Sequence, residues 1–144
     1  MTSRRWSEYR LHRRVNFYET DCAGIVHFSW FFRYMEEAEH AMWREAGLSI
    51  APGDAEVGFP RVAASFDYLK PLRFEEEFDV HLRVAAIGEK TIRYTCVLTR
   101  GDTRIATGTT TIACVALRPD APMKAVPFPP EIAAKFEVAA GAEP

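Results

Sequence analysis

The run VNFYETDCAGIVHFSWFFRYMEEAEHAMWREAG, from Val15 to Gly47, constrains the fold more than any other stretch, because it joins a strand to a turn and the turn to the one long helix. Val15 to Tyr18 is β-branched and aromatic and reads as the end of a strand. Thr20-Asp21-Cys22-Ala23-Gly24 breaks that pattern, since Thr, Asp and Gly favour turns and Gly accepts backbone angles that other residues avoid. Ile25 to Phe28 leads into a helix with Ser29 as its N-cap. Apolar residues then recur at helical spacing at Phe31, Phe32, Met35, Ala38, Met42, Trp43 and Ala46. Arg33, Glu36, Glu37, His40, Arg44 and Glu45 fall mostly on the other side, and Gly47-Leu48 supplies a stop. Such a helix lies with one face on something large and apolar.

The remaining chain supplies that surface as strands. From Arg10, Leu11, Arg13, Val15 and Phe17 alternate with His12, Arg14 and Asn16, which predicts a first strand preceded by a loose arm over residues 1–9. Ser49 to Gly58, with Pro52, Gly53 and Gly58, reads as a loop long enough to serve as a mobile lid. Arg61 to Leu69 alternates Val62, Ala64, Phe66 and Tyr68 with polar residues. Phe78 to Ala86, Ile92 to Leu98 and Arg104 to Leu117 follow as strands on short turns, an antiparallel meander. The order β-α-β-β-β-β predicts an α+β layer architecture rather than alternating βαβ units. After Pro119 the chain is Pro- and Ala-rich and is expected to form a tail or cover, with a short helix from Pro129-Pro130 through Glu137.

Composition narrows the function. The chain of 144 residues suits a single domain, and 48% hydrophobic residues suffice for a core. A net charge of -2 gives no electrostatic case for nucleic acid, and no stretch reads as membrane-spanning. Cys22, Cys96 and Cys114 have no metal-ligand spacing and fit a reducing compartment. The opening MTSRRWSEYR lacks the apolar segment of a secretory signal, so a cytoplasmic location is expected.

Asp21-Cys22-Ala23-Gly24-Ile25-Val26-His27-Phe28, followed by Phe32-Arg33-Tyr34-Met35-Glu36, resembles the hotdog-fold acyl-CoA thioesterases of the 4-hydroxybenzoyl-CoA thioesterase and YbgC-like group. The resemblance covers roughly residues 10 to 118. It implies a five-stranded antiparallel sheet wrapped around one long central helix, and hydrolysis of an acyl-CoA thioester to free acid and CoA with no cofactor or metal. It also implies a homodimer or homotetramer, paired through the strand at Arg61 to Leu69, with active sites at that interface. Family members often read Tyr-His-Ala-Asn where this chain has His27-Phe28-Ser29-Trp30, so roles attached to that His and Asn do not carry over.

On this reading Asp21 is the general base or nucleophile, a role worth on the order of 10² to 10⁴ in rate. Taken alone, Asp21 would be an ordinary turn aspartate. Main-chain amides of Val26, His27 and Phe28, at the helix start, are expected to polarise the carbonyl, with Gly24 permitting the close turn. His27 is a candidate acid or donor. Val26, Trp30 and Phe31 are expected to line the acyl pocket, and the rings at Phe28 and Trp30 to make it apolar. Arg61, Lys70 and Arg73, with Arg93 and Arg104, are candidates to grip CoA phosphates. Cys22 is too isolated to be the nucleophile, and Glu36 with His40 reads as a solvated face. Two alternatives remain: a hydratase or dehydratase of 3-hydroxyacyl thioesters, and a non-catalytic acyl-CoA-binding module.

Overall fold

A computed structural model describes residues 4–51, 53 and 55–141. In chain order it contains β1 (Glu8–Arg14), α1 (Trp30–Glu45), β2 (Val57–Gly58), β3 (Arg61–Tyr68), β4 (Glu77–Ile87), β5 (Thr91–Arg100), β6 (Thr103–Ala113), β7 (Val115–Ala116), β8 (Lys124–Ala125) and α2 (Pro130–Ala133). Five strands form one antiparallel sheet in the order β1-β4-β5-β6-β3, with α1 packed on β1, β4 and β3. This is the hotdog fold.

The alternation read from the sequence decides which side of the sheet meets the helix. Phe78, Val80, Leu82 and Val84 of β4 are buried, as are Ile92, Tyr94, Cys96 and Leu98 of β5. Register stacks Val84 on Tyr94, Leu82 on Cys96 and Val80 on Leu98, so successive core pairs form one apolar floor. Onto it α1 lowers Phe31, Met35, Ala38, Met42 and Trp43 from the predicted stripe. Ser29 and Gly47 bracket the helix, Gly47 at φ +81°, but Ser29 makes no capping hydrogen bond and turns its hydroxyl to His27 Nδ1 instead.

Several expectations need correction. Val15 to Tyr18 does not continue the strand: Phe17–Glu19 is a 3-10 turn, and Phe17 is 73% exposed. The Glu19 carboxylate accepts the Asn16 amide at 2.8 Å and draws the chain round. Residues 6–9 are not a loose arm, since β1 already begins at Glu8 and the Trp6 main chain exchanges bonds with Lys135 and Glu137. Met1 to Ser3 lie outside the described residues. The long strand expected to Leu117 ends at Ala113; Cys114 turns its amide to Lys90, and β7 joins β2 and β8 in a separate small sheet. The stretch 49–58 is therefore partly strand, and the described part of it does not border the cavity beside Asp21. Pro52 and Asp54 lie outside the described residues. The C-terminal segment acts as a cover, burying Phe128, Phe136 and Ala139, but its helix stops at Ala133. Finally, β3 has no buried face. It is one edge of the sheet, β1 being the other, with Val62 59% exposed and Tyr68 and the following Leu69 also exposed.

Candidate active site

The loop between β1 and α1 is built on a buried carboxylate. Glu19 is fully buried, and its oxygens receive the Arg13 guanidinium at 2.8 Å, the Tyr34 hydroxyl at 2.9 Å and the Asn16 amide at 2.8 Å. Arg13 also bonds Glu37 at 2.7 Å and lies over the Tyr34 ring. Burial pulls the Arg13 guanidinium down, but its bond to Glu19 and the nearby Glu37 outweigh this and raise it. Burial, and then the bond to Glu19, push the Tyr34 phenol up.

Above this base the chain makes a closed turn. The Asp21 amide bonds the Ile25 carbonyl and the Gly24 amide bonds the Asp21 carbonyl, both at 2.9 Å. Gly24 stands at φ +79°, which a side chain would strain. The Ala23 amide donates to Asp21 Oδ1 at 2.9 Å, and among the described residues Oδ2 has no hydrogen-bond partner. The exposed Cys22 follows Asp21, yet it is absent from the cavity wall.

Of the three amides expected to polarise a carbonyl, two are already used. Val26 donates to the Leu72 carbonyl at 2.8 Å and His27 to the Glu19 carbonyl at 2.9 Å. The Phe28 amide makes no hydrogen bond to another described residue. Asp21, Val26, Phe28 and Phe31 share a cavity of about 480 Å³ with Ile25, Tyr68, Leu69, Lys70, Pro71 and Leu72. Asp21 and Phe28, the residues that carry that Oδ2 and that amide, thus line one mainly apolar hollow together with Lys70.

The other candidates are placed elsewhere. His27 Nδ1, in the tautomer protonated on Nε2, accepts from the Ser29 hydroxyl at 2.8 Å, and its ring lies against Phe28. Neither His27 nor Trp30 lines the cavity; Trp30 packs on Tyr18 and Tyr34 and under the Arg33 guanidinium. Arg61 does not reach for a ligand. Its guanidinium is committed to buried Glu39 at 2.8 Å, to Glu36 at 3.2 Å and to Thr110 at 3.1 Å. Glu36 is accordingly an ion-pair partner rather than half of a solvated pair with His40. Arg73 is exposed off the cavity wall, Arg93 is half-buried with Nε unpartnered, and Arg104 lines a separate polar groove with Arg83 and Asp67. Sequence reasoning missed Tyr68, Leu69, Pro71 and Leu72, which form the opposite wall. The signal available was a run of apolar residues crossing a strand exit at Lys70-Pro71.

Comparison with known proteins agrees with this architecture. The profile of the Thioesterase-like superfamily matches residues 15–136. A protein of Aquifex aeolicus, provisionally named an esterase, is 35% identical over 99 residues, covering 68% of this chain and 77% of its own. A 1,4-dihydroxy-2-naphthoyl-CoA hydrolase of Synechococcus elongatus is 26% identical over 112 residues, 76% of this chain and 82% of its own. Among solved structures, a gentisyl-coenzyme A thioesterase superposes with a TM-score of 0.76 at 25% identity, covering 86% of this chain and 98% of the other. The chain belongs to the thioesterase-like superfamily of hotdog-fold thioester hydrolases. Among the described residues no helix is long and apolar enough to cross a membrane.

The loop's dependence on Glu19 is testable. Glu19→Ala would leave the buried Tyr34 hydroxyl unpaired and Arg13 with one carboxylate, so unfolding stability in urea should fall by roughly 3 to 5 kcal/mol. A loss below about 1 kcal/mol would show that the network is dispensable.

Proposed function

We propose that this protein hydrolyses acyl-CoA thioesters, with Asp21 as general base or nucleophile and the Phe28 amide as donor to the developing oxyanion. The observation that carries the reading is that Asp21 and Phe28 line one apolar cavity, while among the described residues Asp21 Oδ2 and the Phe28 amide have no hydrogen-bond partner. In the general-base route Asp21 Oδ2 takes a proton from water as the water oxygen bonds the thioester carbon. The oxyanion accepts the Phe28 N–H, and its collapse expels CoA thiolate, which takes the proton back. In the nucleophilic route Oδ2 itself bonds the carbon as the C–S bond breaks and CoA leaves as thiolate; water then cleaves the acyl anhydride, its hydroxyl going to the acyl group, its proton to the thiolate, and the Asp21 carboxylate is restored. No cofactor enters either route. A hydratase would need a His facing the acid across the substrate, and His27 is turned to Ser29 instead. Lys70 is the cation best situated to meet a CoA phosphate.

The reading extends to assembly and substrate. β3 presents a free edge with exposed Val62, Tyr68 and Leu69, and pairing it with a second copy covers both its backbone and its apolar side chains. The acyl group is uncharged, aromatic or aliphatic, because the lining of Ile25, Val26, Phe28, Phe31, Leu69 and Leu72 is apolar and, among the described residues, Lys70 is the cavity's one cation. The aromatic esters named for the Synechococcus and gentisyl-CoA relatives support the aromatic choice.

Asp21→Asn keeps the side chain's shape, so kcat should fall by at least ~10² with KM little changed. Cys22→Ala should keep most activity; the reverse pattern would move the chemistry to the thiol. Size-exclusion chromatography with light scattering should give a dimer or tetramer, and a stable active monomer at micromolar concentration would contradict the assembly. Across benzoyl, phenylacetyl, hexanoyl and succinyl esters, kcat/KM should be graded among the neutral groups and weakest for succinyl. Best turnover of the dicarboxylyl ester would overturn the acyl assignment.

A further inference from the structure

We propose that Tyr68 is a positioning residue for the thioester reaction: its phenol holds the Phe28 main chain, and with it the free Phe28 amide, in one orientation at the cavity wall. This rests on the thioesterase reading above.

Hydrogen bonds fix the two peptide planes on either side of Phe28. The first carries the His27 carbonyl and the Phe28 amide, and the Trp30 amide holds it at 3.0 Å through that carbonyl. The second carries the Phe28 carbonyl. Within the loop its partner is the Phe31 amide at 3.4 Å, a long bond at the start of a helix. The Tyr68 hydroxyl donates to the same carbonyl at 2.9 Å, from a strand 40 residues away in sequence. With both planes held, the backbone angles at Phe28 are set. Without Tyr68 the second plane keeps only two long bonds, the Phe31 amide on its carbonyl and its own Ser29 amide on His27 Nδ1 at 3.3 Å, in a segment whose side chain is 60% exposed and cannot anchor it by burial.

The ring of Tyr68 is itself braced. It meets Phe31 edge to face at 4.9 Å and Phe28 at 6.5 Å, and it borders the same cavity as Asp21. Desolvation pushes the phenol up from its ordinary value, so across the neutral range it remains a protonated donor. Tyr68 ends β3, paired with Ala106 of β6, so the donor is mounted on the sheet and not on the loop it steadies. A donor for a developing oxyanion acts best when its direction is fixed before charge develops.

Tyr68→Phe removes the hydroxyl and keeps the ring, which separates positioning from pocket filling. With a neutral acyl-CoA as probe, kcat should fall about threefold to tenfold while KM stays within about twofold, as expected for one hydrogen bond felt mainly in the transition state. Tyr68→Leu should show the same kcat loss with a raised KM. Ser65→Ala, on the same strand and bonded to Thr109, should keep wild-type kcat. Independently of turnover, 15N relaxation of Tyr68→Phe should give lowered order parameters at Phe28 and Ser29, with Val26 and His27 unchanged because Leu72 and Glu19 still hold them. Wild-type kcat in Tyr68→Phe, an equal loss in Ser65→Ala, or unchanged order parameters at Phe28 would each overturn the proposal. Should the wild-type protein turn over no ester, the thioesterase reading fails, and the order parameters still decide whether Tyr68 holds Phe28.

Discussion

The Glu19 carboxylate is buried beneath the loop that carries the site, and the local geometry is arranged around it. A buried carboxylate without partners costs several kcal/mol, so it persists only where donors converge. Three do: a guanidinium from β1, a phenol from α1 and the amide of Asn16. Each donor comes from a different segment, so satisfying one acid fixes the angle at which strand, turn and helix meet. The residue's own carbonyl then takes the His27 amide, which carries that fixity into the stretch between Asp21 and the helix. A second buried acid, Glu39, receives Arg61 from β3 on one oxygen, while its other oxygen has no hydrogen-bond partner among the described residues.

These two acids explain where reading the residues succeeded and where it stopped. The end of α1 was legible because Gly47 acts through local backbone chemistry, and the inner faces of β4 and β5 because burial follows a period of two. Glu39 and Tyr34 were not. At their positions a helical wheel shows a charged residue and a polar aromatic, and only the arrival of Arg61 and Glu19 makes burial tolerable. The same partnership removed Arg61 from the CoA-binding candidates. A cation's function depends on the nearest carboxylate in space, which spacing along the chain does not reveal. Phe17 failed for a related reason, since alternation placed it inward until Glu19 turned the chain.

At the proposed site, the turn and the resemblance both pointed to Asp21, Gly24 and Phe28, and the structure brings Asp21 and Phe28 to one cavity. Which amide stays free was not legible, because that depends on the Leu72 and Glu19 carbonyls taking the other two. Trp30 was expected in the pocket for its size, yet Tyr18, Tyr34 and Arg33 hold it outside.

The opposite wall of the cavity ties the site to the sheet's edge. Leu72 holds Val26 through a main-chain bond and Tyr68 holds Phe28 through a side-chain bond, and both belong to the exit of β3. That strand is held within the subunit by one neighbour, β6, and most of its side chains are exposed. An edge strand is the part of a sheet most easily displaced, so a site leaning on it inherits its mobility. Whatever steadies the free side of β3 also steadies the bonds from Val26 to Leu72 and from Tyr68 to Phe28. Loop rigidity and edge protection are therefore one physical requirement in this fold, met from below by Glu19 and from the side by β3.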